Sequence, residues 1–382
     1  MKILISANTS WYVYNFRRAL ISAFIEDGHE IVVAAPPDDY SDRIVALGCR
    51  FLPLKMDNKG TSPLRDAALV WRIRQLLQAQ RPDIVFSYTI KCNIYSCFAA
   101  RPLNIPVVPN VSGLGTAFLA DNWLNRMVRM LYRYSFRWPK TIFFQNQDDK
   151  DTFSSLGLAT DKQARLLPGS GVDLDLFAPA PAAESDTISF LLIARLLWDK
   201  GVGEFVEAAR AIKQKYPQAR FQLLGFLNVE NRSAIPREML DGWVEEGVVE
   251  YLGATDDVRP HIAAADCIVL PSYYPEGTPR SLLEAAAMAR PVITTDTPGC
   301  RNVVENAQTG FLCEPRSVDS LTVAIEEFLA LSREQQTEMG RQGRRKMELE
   351  YDETIVIDAY RKVINELVGD KSGTVLWGGL PL

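Results

Sequence analysis

The chain has 382 residues, of which 47% are hydrophobic and 23% charged, a composition and length typical of a soluble globular protein with two domains. Its net charge of −5 argues against a general nucleic-acid-binding protein. The six cysteines show no Cys-x-x-Cys spacing and there are only two histidines, so the sequence predicts neither a zinc site nor a disulfide framework. A reduced cytoplasmic setting fits this pattern.

Two long uncharged stretches, residues 3–16 and 103–120, are interrupted by polar residues or by prolines and glycines. We therefore expect neither a signal sequence nor a membrane-spanning helix. The tail at residues 371–382 is Gly-rich and apolar but too short to span a bilayer, which favours a disordered end over a membrane anchor.

Apolar runs alternate with helical patterns along the chain, which predicts an α/β protein with parallel sheets covered by helices on both faces. The strands expected in the first half are residues 3–6, 31–34, 83–87, 107–111 and 142–145. Those expected in the second half are 188–193, 221–224, 248–252, 267–270, 292–295 and 310–312. Residues 168–181 between them are rich in Pro, Gly and Ala and are interpreted as a linker. This pattern predicts two Rossmann-like, doubly wound domains.

Two carboxylates, Glu276 and Glu284, stand eight positions apart across a predicted strand-to-helix junction. Thr278 is a good N-cap and Pro279 suits the first helical position, so we expect a helix from here through Ala289. The unpaired N–H groups at such a helix start bind phosphate well, and a ligand could lie between the two carboxylates. The alternative is a pair of solvated carboxylates near a helix terminus.

Positive charge follows the predicted strand at residues 188–193, because Arg195 and Lys200 lie in the next loop. Open α/β sheets bind ligands at the C-terminal ends of their strands. Arginine is a bidentate phosphate donor and lysine a point charge, so together they could hold a diphosphate. The alternative is an exposed Arg and Lys on a surface loop.

Several segments resemble one family, the retaining glycosyltransferases of the family 4 type (glycosyl transferases group 1), which have the two-lobed GT-B fold. Residues 276–284 resemble its Glu-x7-Glu element, 194–201 (ARLLWDKG) its diphosphate-binding loop, and 168–173 (PGSGVD) its interdomain linker. The resemblance covers about residues 1–370. The N-terminal half is more similar to the subgroup that extends lipid-linked bacterial surface glycans.

The resemblance implies a role for each matching residue at a nucleotide-sugar site. Arg195 and Lys200 would hold the donor diphosphate, Glu276 the donor sugar and Glu284 the ribose. The segment Gly277, Thr278 and Pro279 would lie against sugar and diphosphate, with amide donors from Gly277, Thr278 and Arg280, since proline has none. Retention of configuration would need no protein nucleophile. The resemblance also implies domains at residues 1–167 (acceptor-binding) and 168–352 (linker and donor-binding), with a helix from 353 crossing back to the first domain before the tail that ends at 382.

The first lobe departs from the wider family. Asn8 and Thr9 stand where many members have a Gly-Gly loop, and His29 is interpreted as structural, as is His261. First-lobe or acceptor candidates are therefore Asn8, Thr9, Tyr88, Thr89, Lys91, Gly113 and Gly115, with Lys91 able to meet an acceptor phosphate. Gly113-Leu114-Gly115 is not expected to bind a dinucleotide, because Phe118 takes the third glycine position. Asp173-Leu174-Asp175 falls in the linker, so no metal or other cofactor is expected.

Residues 123–140 form a predicted amphipathic helix. Its cations fall within an arc of about 80°; they are Arg126, Arg129, Arg133, Arg137 and Lys140. The opposite face is apolar, with Leu124, Met127, Val128, Leu131, Tyr134 and Trp138, and the margins carry Trp123, Met130, Tyr132 and Phe136. We expect this surface to meet anionic lipid headgroups or a polyprenyl diphosphate. The alternative is a solvated basic face over a packed core helix.

Taken together, the residues and the resemblance predict an enzyme on the cytoplasmic face of the cell membrane. It would move a hexose or N-acetylhexosamine from a UDP-sugar to a polyprenyl-diphosphate-linked saccharide in bacterial surface glycan synthesis, retaining configuration. Uridine is expected because the resembled subgroup mostly uses it. The alternatives are a GT-B-shaped sugar-nucleotide epimerase and a non-catalytic nucleotide-sugar-binding protein. The sequence does not predict the oligomeric state.

Overall fold

The computed structural model describes residues 1–58, 60, 62–118, 123–180, 187–227, 231 and 233–369. The strands are β1 (Lys2–Ser6), β2 (Glu30–Ala35), β3 (Arg50–Pro53), β4 (Ile84–Tyr88), β5 (Val107–Val111), β6 (Ile142–Phe144), β7 (Ala164–Leu166), β8 (Ser189–Ile193), β9 (Arg220–Leu224), β10 (Glu250–Tyr251), β11 (Cys267–Leu270), β12 (Val292–Thr295) and β13 (Gly310–Cys313).

The helices that connect and cover these strands are α1 (Ser10–Glu26), α2 (Ser41–Ala46), α3 (Pro63–Gln80), α4 (Ile90–Ala100), α5 (Trp123–Ser135), α6 (Gln147–Ser155), α7 (Val202–Lys215), α8 (Arg237–Glu245), α9 (Arg259–Ala264), α10 (Arg280–Ala287), α11 (Val318–Leu329), α12 (Arg333–Lys346) and α13 (Glu353–Val368). Among the described residues, none of the helices is both long enough and apolar enough to cross a membrane.

The chain divides into two compact units. The first comprises Met1–Ser112, Ala120–Ser170 and Thr354–Leu382, and the second Gly113–Leu119 and Gly171–Glu353. Residues 113–119 thus group with the second unit although they follow β5, which the sequence-based boundary at residue 167 did not anticipate. The tail at 371–382 lies outside the described residues.

The first unit is built on a seven-stranded parallel sheet in the order β3-β2-β1-β4-β5-β6-β7. Side chains alternate between its two faces along each strand. On β4, Phe86 and Tyr88 face α1 and α13, where Phe86 meets the Tyr360 ring edge-on at 4.8 Å. Ser87 points to the other face, where its hydroxyl donates to Oδ1 of Asn93 in α4 at 2.9 Å. Helices therefore cover both faces, as the sequence predicts.

The helix α13 completes this first core. Tyr360 is fully buried and its hydroxyl accepts hydrogen bonds from the Tyr88 hydroxyl and from Nδ2 of Asn110, each at 3.0 Å. Val356, Val363 and Ile364 pack in the same cluster.

The second unit has a six-stranded parallel sheet in the order β10-β9-β8-β11-β12-β13. The strand order reverses between β8 and β11, so the loops that leave their C-terminal ends diverge at this point. Such a switch point is where open α/β sheets bind ligands.

All eleven predicted strands are present, and two more, β3 and β7, were missed. Both lie at the edges of the first sheet. Arg50 and Pro53 bound an apolar run of only two residues in β3, and β7 has only three residues, so neither gave a buried-strand signal.

Candidate active site

An ion pair lies at the switch point of the second sheet. Lys200 follows β8 and Glu276 follows β11, and the Lys200 ammonium contacts Oε1 of Glu276. The two side chains are 13% and 12% exposed, so the pair is largely shielded from water. The same ammonium lies 5.2 Å from the centre of the Tyr274 ring. The predicted diphosphate lysine and sugar carboxylate are therefore neighbours.

A buried hydroxyl fixes the Glu276 carboxylate. Ser272, which is fully buried, donates its hydroxyl to Oε1 of Glu276 at 3.1 Å. The Ser272 carbonyl in turn accepts hydrogen bonds from the Thr295 hydroxyl and, at 3.4 Å, from the Thr297 hydroxyl. These bonds link Ser272, which follows β11, to the end of β12. The residue that bonds the Glu276 carboxylate is therefore itself held in place.

Glycines allow the backbone around Glu276 to pack closely. Gly299 has φ of +80°, and a Cβ atom there would lie 2.1 Å from the Gly277 carbonyl oxygen. Gly113 has φ of +106°, and its Cβ atom would lie 2.7 Å from the Gly277 nitrogen. A Cβ atom on Gly201, next to Lys200, would lie 2.1 Å from the Pro271 carbonyl oxygen. A larger residue at position 113 or 299 fits only if the Glu276 loop moves, and one at position 201 only if Pro271 moves.

The helix α10 begins at Arg280 rather than at Pro279, and its N-cap is Pro279 rather than Thr278. The reason is the backbone of Pro279, whose ψ of 119° is extended. The helix ends at Ala287, two residues earlier than expected, and Ala289 has a φ of +56°. Thr278 is therefore not the N-cap, but the amides of Gly277, Thr278 and Arg280 still precede or begin the first turn.

The second carboxylate, Glu284, lies one turn into α10. Its Oε1 accepts a hydrogen bond from Nε of Arg280 at 2.7 Å. Burial raises the pKa of Glu284 above its usual value, and the Arg280 guanidinium partly opposes this shift. The site thus contains two Glu–cation pairs on either side of a helix start.

Arg195 is exposed at the mouth of the same loop as Lys200. Burial and the Glu276 carboxylate raise the pKa of Tyr274, whereas Arg195 lies close enough to oppose that shift. Arg195, Lys200, Tyr274 and Glu276 therefore share one electrostatic environment. From the sequence, no role was predicted for Ser272, Tyr274 or Gly299; nearness to Glu276 was the one signal for Ser272 and Tyr274, and Gly299 had none.

The first-lobe candidates have mostly structural partners. Tyr88 is fully buried, donates to the Tyr360 hydroxyl and lies under the Arg17 guanidinium at 4.2 Å, so its assignment as an acceptor contact is wrong. Thr9 is the N-cap of α1 and accepts from the Tyr12 amide at 3.0 Å. The Asn8 carbonyl accepts from Nδ2 of Asn58 at 2.8 Å.

Lys91, which was predicted to meet an acceptor phosphate, has its ammonium bonded within the first unit. It donates to the carbonyls of Asp57 and Gly60 and to Oδ1 of Asp66, at 2.7, 2.6 and 2.8 Å. An ammonium has three N–H donors, so all of them are used. Lys91 thus links Asp57 and Gly60 to Asp66 of α3.

Thr89 remains the unusual residue of this group. Its φ of 70° and ψ of 157° fall in a region of the Ramachandran plot that is almost restricted to glycine. Strain of this kind collects at functional sites. Thr89 is half-buried at the C-terminal end of β4. Gly115 lies in the second unit, where a Cβ atom would be 3.4 Å from the Tyr274 hydroxyl.

The helix α5 packs differently from the prediction. Its buried side is formed by Asn125 and Tyr132 and continues to Phe136, and both aromatic rings meet Phe153. Tyr132 and Phe136 were expected at the margins, and Tyr134, expected on the packed side, is exposed. Short residues at positions 125 and 135 let the helix approach its neighbours on that side.

The cations of this segment lie at its surface. Arg126, Arg133, Arg137 and Lys140 are exposed and Arg129 is half-buried. The helix ends at Ser135, so Arg137 and Lys140 lie beyond it. Nη2 of Arg133 donates to the Leu156 carbonyl at 2.7 Å, and the Arg137 guanidinium lies 4.9 Å from the Tyr134 ring. Trp123 and Met130 are exposed beside these cations, so the surface is both basic and apolar.

Within the described part of the chain, no three His, Cys, Asp or Glu side chains gather in a way that could hold a metal ion. Asp173 of the Asp-Leu-Asp segment instead accepts hydrogen bonds from the backbone amides of Asp175 and Leu176, at 3.1 and 2.8 Å.

Comparison with known proteins places this geometry in a family. The model described as "Glycosyl transferases group 1" matches residues 187–330, and the model described as "Glycosyl transferase 4-like domain" matches residues 13–169. The chain belongs to the group 1 glycosyltransferases of the family 4 type, and its two parallel-sheet units are those of the GT-B fold.

Two relatives of named activity match over most of the chain. An N,N'-diacetylbacillosaminyl-diphospho-undecaprenol alpha-1,3-N-acetylgalactosaminyltransferase of Campylobacter jejuni is 28% identical over 96% of this chain and 99% of its own length. A UDP-Gal:alpha-D-GlcNAc-diphosphoundecaprenol alpha-1,3-galactosyltransferase of Escherichia coli is 26% identical over 76% of this chain and 77% of its own. Anabaena HepE, solved with UDP-glucose, shares the fold with a TM-score of 0.80 at 16% identity, covering 96% of this chain and 100% of that one.

Proposed function

We propose that this glycosyltransferase moves a hexose or N-acetylhexosamine from a UDP-sugar to a polyprenyl-diphosphate-linked saccharide, with retention of anomeric configuration, during bacterial surface glycan synthesis. The observation that carries the donor half of the proposal is the shielded Lys200–Glu276 pair at the switch point of the second sheet. The two relatives act on undecaprenyl-diphosphate-linked sugars by their names, which supports the acceptor half.

The donor would lie across the two Glu–cation pairs. Cleavage of a nucleotide sugar builds negative charge on the leaving diphosphate, and fixed cations aimed at it lower the barrier. Lys200 and Arg195 would turn toward the diphosphate, and the amides at the start of α10 would bind the phosphate nearest the helix. Glu284 would hold the ribose hydroxyls.

Engagement of Lys200 by the diphosphate frees the Glu276 carboxylate for the sugar. Ser272 keeps this carboxylate in position after the lysine has left, because its hydroxyl bond to Oε1 does not involve Lys200. Glu276 then orients the sugar hydroxyls and stabilises positive charge on the ring. The acceptor hydroxyl would approach on the same face as the departing diphosphate, whose oxygen takes the proton, which gives retention without a protein nucleophile.

The acceptor would be reached from a membrane surface. Arg126, Arg133, Arg137 and Lys140 are exposed beside Trp123 and Met130, a combination suited to anionic headgroups or a lipid diphosphate. We propose a peripheral position on the cytoplasmic face of the membrane. Side-chain cations supply the positive charge that the leaving group needs, so the proposal includes no metal or other cofactor.

The test is a panel of nucleotide sugars incubated with the enzyme, with and without a polyprenyl-diphosphate-linked saccharide. The expected result is release of UDP and a longer lipid-linked glycan only when donor and acceptor are both present, with an α-linkage visible by NMR from an α-configured donor. Conversion of the donor alone into a second nucleotide sugar indicates an epimerase. Tight UDP-sugar binding without any turnover indicates a binding protein, and either outcome overturns the proposal.

A further inference from the structure

The helix α3 of the first unit has an apolar ridge that faces solvent. Leu64 is 84% exposed and Trp71 is 60% exposed, which makes them two of the most exposed large apolar side chains of the described chain. They are seven residues apart and therefore lie on one side of the helix, with Ala68 between them. The buried residues Leu69, Ile73 and Leu77 lie on the opposite side.

Arginines border this ridge on both sides. At 100° per residue, Arg65 and Arg72 lie about 80–100° to one side of it and Arg74 about 80° to the other. Arg65 pairs with Asp57 at 2.9 Å, and the α3 residue Asp66 is held by Lys91. Nη1 of Arg72 donates to the Lys55 carbonyl at 2.8 Å, and this neutral partner does not offset the positive charge of the guanidinium.

The charge of this part of the chain contrasts with that of the whole. From the first residue of α3 to the last of β6, residues 63–144, the sequence has eleven lysines and arginines against three aspartates and no glutamate. Its net charge is +8, whereas that of the whole chain is −5. Such a local excess is complementary to an anionic surface.

The helices α3 and α5 belong to one layer. The connections β3–α3–β4, β4–α4–β5 and β5–α5–β6 all run in the same direction along the sheet, and right-handed crossovers place their helices on the same face. In agreement, α4 packs against both α3 and α5. With packed helices 8–10 Å apart, α3 and α5 are separated by about 16–20 Å, and their outer sides can meet one flat surface.

We propose that the Leu64–Trp71 ridge of α3 is a second membrane-contact element, which inserts into the headgroup region of an anionic bilayer beside α5. Tryptophan is favoured at this depth, and the bordering arginines can reach the lipid phosphates. The inference rests on the proposed peripheral membrane position but concerns a surface that the donor site does not use. Contacts through both α3 and α5 would fix the orientation of the protein on the membrane, whereas contact through one helix alone would let it rotate.

A site-specific fluorophore tests the insertion directly. All six cysteines are buried, so a cysteine introduced by Leu64→Cys can be labelled selectively with an environment-sensitive dye. Vesicles of phosphatidylcholine and phosphatidylglycerol should shift its emission to the blue, whereas pure phosphatidylcholine should shift it little. The matched control is Val323→Cys, an exposed apolar position on α11 of the second unit, where no shift is expected. An unshifted label at position 64 overturns the proposal.

Vesicle cosedimentation provides the second measurement. Leu64→Ser with Trp71→Ser should weaken binding to the anionic vesicles roughly tenfold or more, since about 1.4 kcal/mol of lost burial corresponds to a factor of ten. Leu349→Ser, an exposed apolar residue of the second unit, should leave binding unchanged. UDP affinity and the thermal unfolding temperature of the ridge variant should remain those of the wild type, which excludes misfolding.

Self-association is the competing use of this ridge. If the double serine variant has a smaller sedimentation coefficient than the wild type without vesicles, the ridge joins copies of the chain and the membrane proposal fails. The proposed transfer reaction is judged separately, because a fluorophore shift needs no donor or acceptor. If the label at position 64 shifts to the blue but no sugar is transferred, the membrane contact is supported and the proposed function is wrong.

Discussion

The carboxylate of Glu276 and the ammonium of Lys200 are joined in an ion pair that is nearly closed to water, although each group is expected to serve a different part of the donor. The carboxylate is thereby held in place before a donor arrives. Under the proposed function, separating the two groups is a step of donor binding. The pair is therefore a structural element as well as part of the site.

The two cations should respond differently to removal. Arg195→Ala and Lys200→Ala should each lower turnover by roughly 100-fold or more, because each removes charge from the leaving diphosphate. Only Lys200→Ala also removes the cation that faces a shielded carboxylate, so only this variant should lower the thermal unfolding temperature. Adding Glu276→Ala to Lys200→Ala should recover that temperature but not the turnover. Equal unfolding temperatures for the two single variants would contradict the importance of the pair for stability.

The two carboxylates should separate binding from turnover. Glu284→Ala should mainly weaken the binding of free UDP, since its expected partner is the ribose. Glu276→Ala should mainly lower turnover and change UDP affinity less, because it faces the sugar. Titration calorimetry with UDP and steady-state rates distinguish the two cases. The opposite pattern would mean that the two roles are exchanged.

Gly299 should tolerate no side chain. Gly299→Ala places a Cβ atom 2.1 Å from the Gly277 carbonyl oxygen and should displace the Glu276 loop, with loss of at least 10-fold in turnover. Gly253→Ala is the matched control, because Gly253 also has a positive φ of +79° but has nothing within 4 Å of its Cβ position. Gly253→Ala introduces backbone strain without a clash. Equal loss of activity in both variants would therefore mean that strain, and not displacement of the Glu276 loop, causes the effect.

The arginines of α5 and the turn after it should matter for membranes and not for the donor. Replacing Arg126, Arg129, Arg133 and Arg137 with Gln should release the protein from anionic vesicles and slow transfer to a long-chain lipid acceptor, with UDP affinity unchanged. Wild-type binding should weaken as salt rises from about 0.05 to 0.5 M, because the Debye length is roughly 10 Å at 0.1 M.

A charge-matched control is available in the second unit. Arg220, Arg237, Arg341 and Arg345 are exposed, and their replacement with Gln makes the same change in net charge. This variant should stay on the vesicles. If both quadruple variants bind as the wild type does, the basic surface of α5 is an ordinary solvated face.

Asp149 predicts how stability depends on pH. Burial raises its pKa to about 7, with a smaller contribution from Asp148, whereas an unfolded aspartate titrates near 3.9. The folded protein therefore binds the extra proton between about pH 4 and pH 7, and this contribution to stability is lost as the pH rises through that window. Asp149→Asn should raise the unfolding temperature at pH 8 by several degrees and change it little at pH 4, as calorimetry can measure. A larger gain at pH 4 would reverse the assignment.

The sequence was sufficient where one residue pattern determines one structure. Buried parallel strands such as β8 and β11 are continuous apolar runs, and the loops that follow them carry Lys200 and Glu276, so the sequence alone predicts that these two residues lie at the same edge of one sheet. The sequence was insufficient where a contact depends on the path of a loop in space. Ser272 looks like any residue that ends a strand, and its hydroxyl bond to Glu276 depends on how the loop turns back.

Helical periodicity gave a similar partial answer. The arc of cations on α5 is present, but the buried side was misassigned because hydrophobicity alone favours Leu124 and Tyr134 over Asn125. The buried residues are instead Asn125 and Tyr132, and the Tyr132 ring packs against Phe153. The partners of Lys91 were hidden for a related reason, because Asp66 and the carbonyls of Asp57 and Gly60 lie 25 to 34 residues before it in the sequence.

The packing of α13 in the first unit determines when that unit can fold during synthesis. Tyr360 fills the space between Phe86 and Phe143, with ring centres at 4.8 Å from each, so without it the sheet retains an open apolar face. The ribosome makes about 200 residues between the end of the second segment of this unit at Ser170 and the end of α13 at Val368, which takes on the order of 10–40 s at 5–20 residues per second. During that time the nascent sheet is a substrate for chaperones, and the second unit can fold before the first is complete.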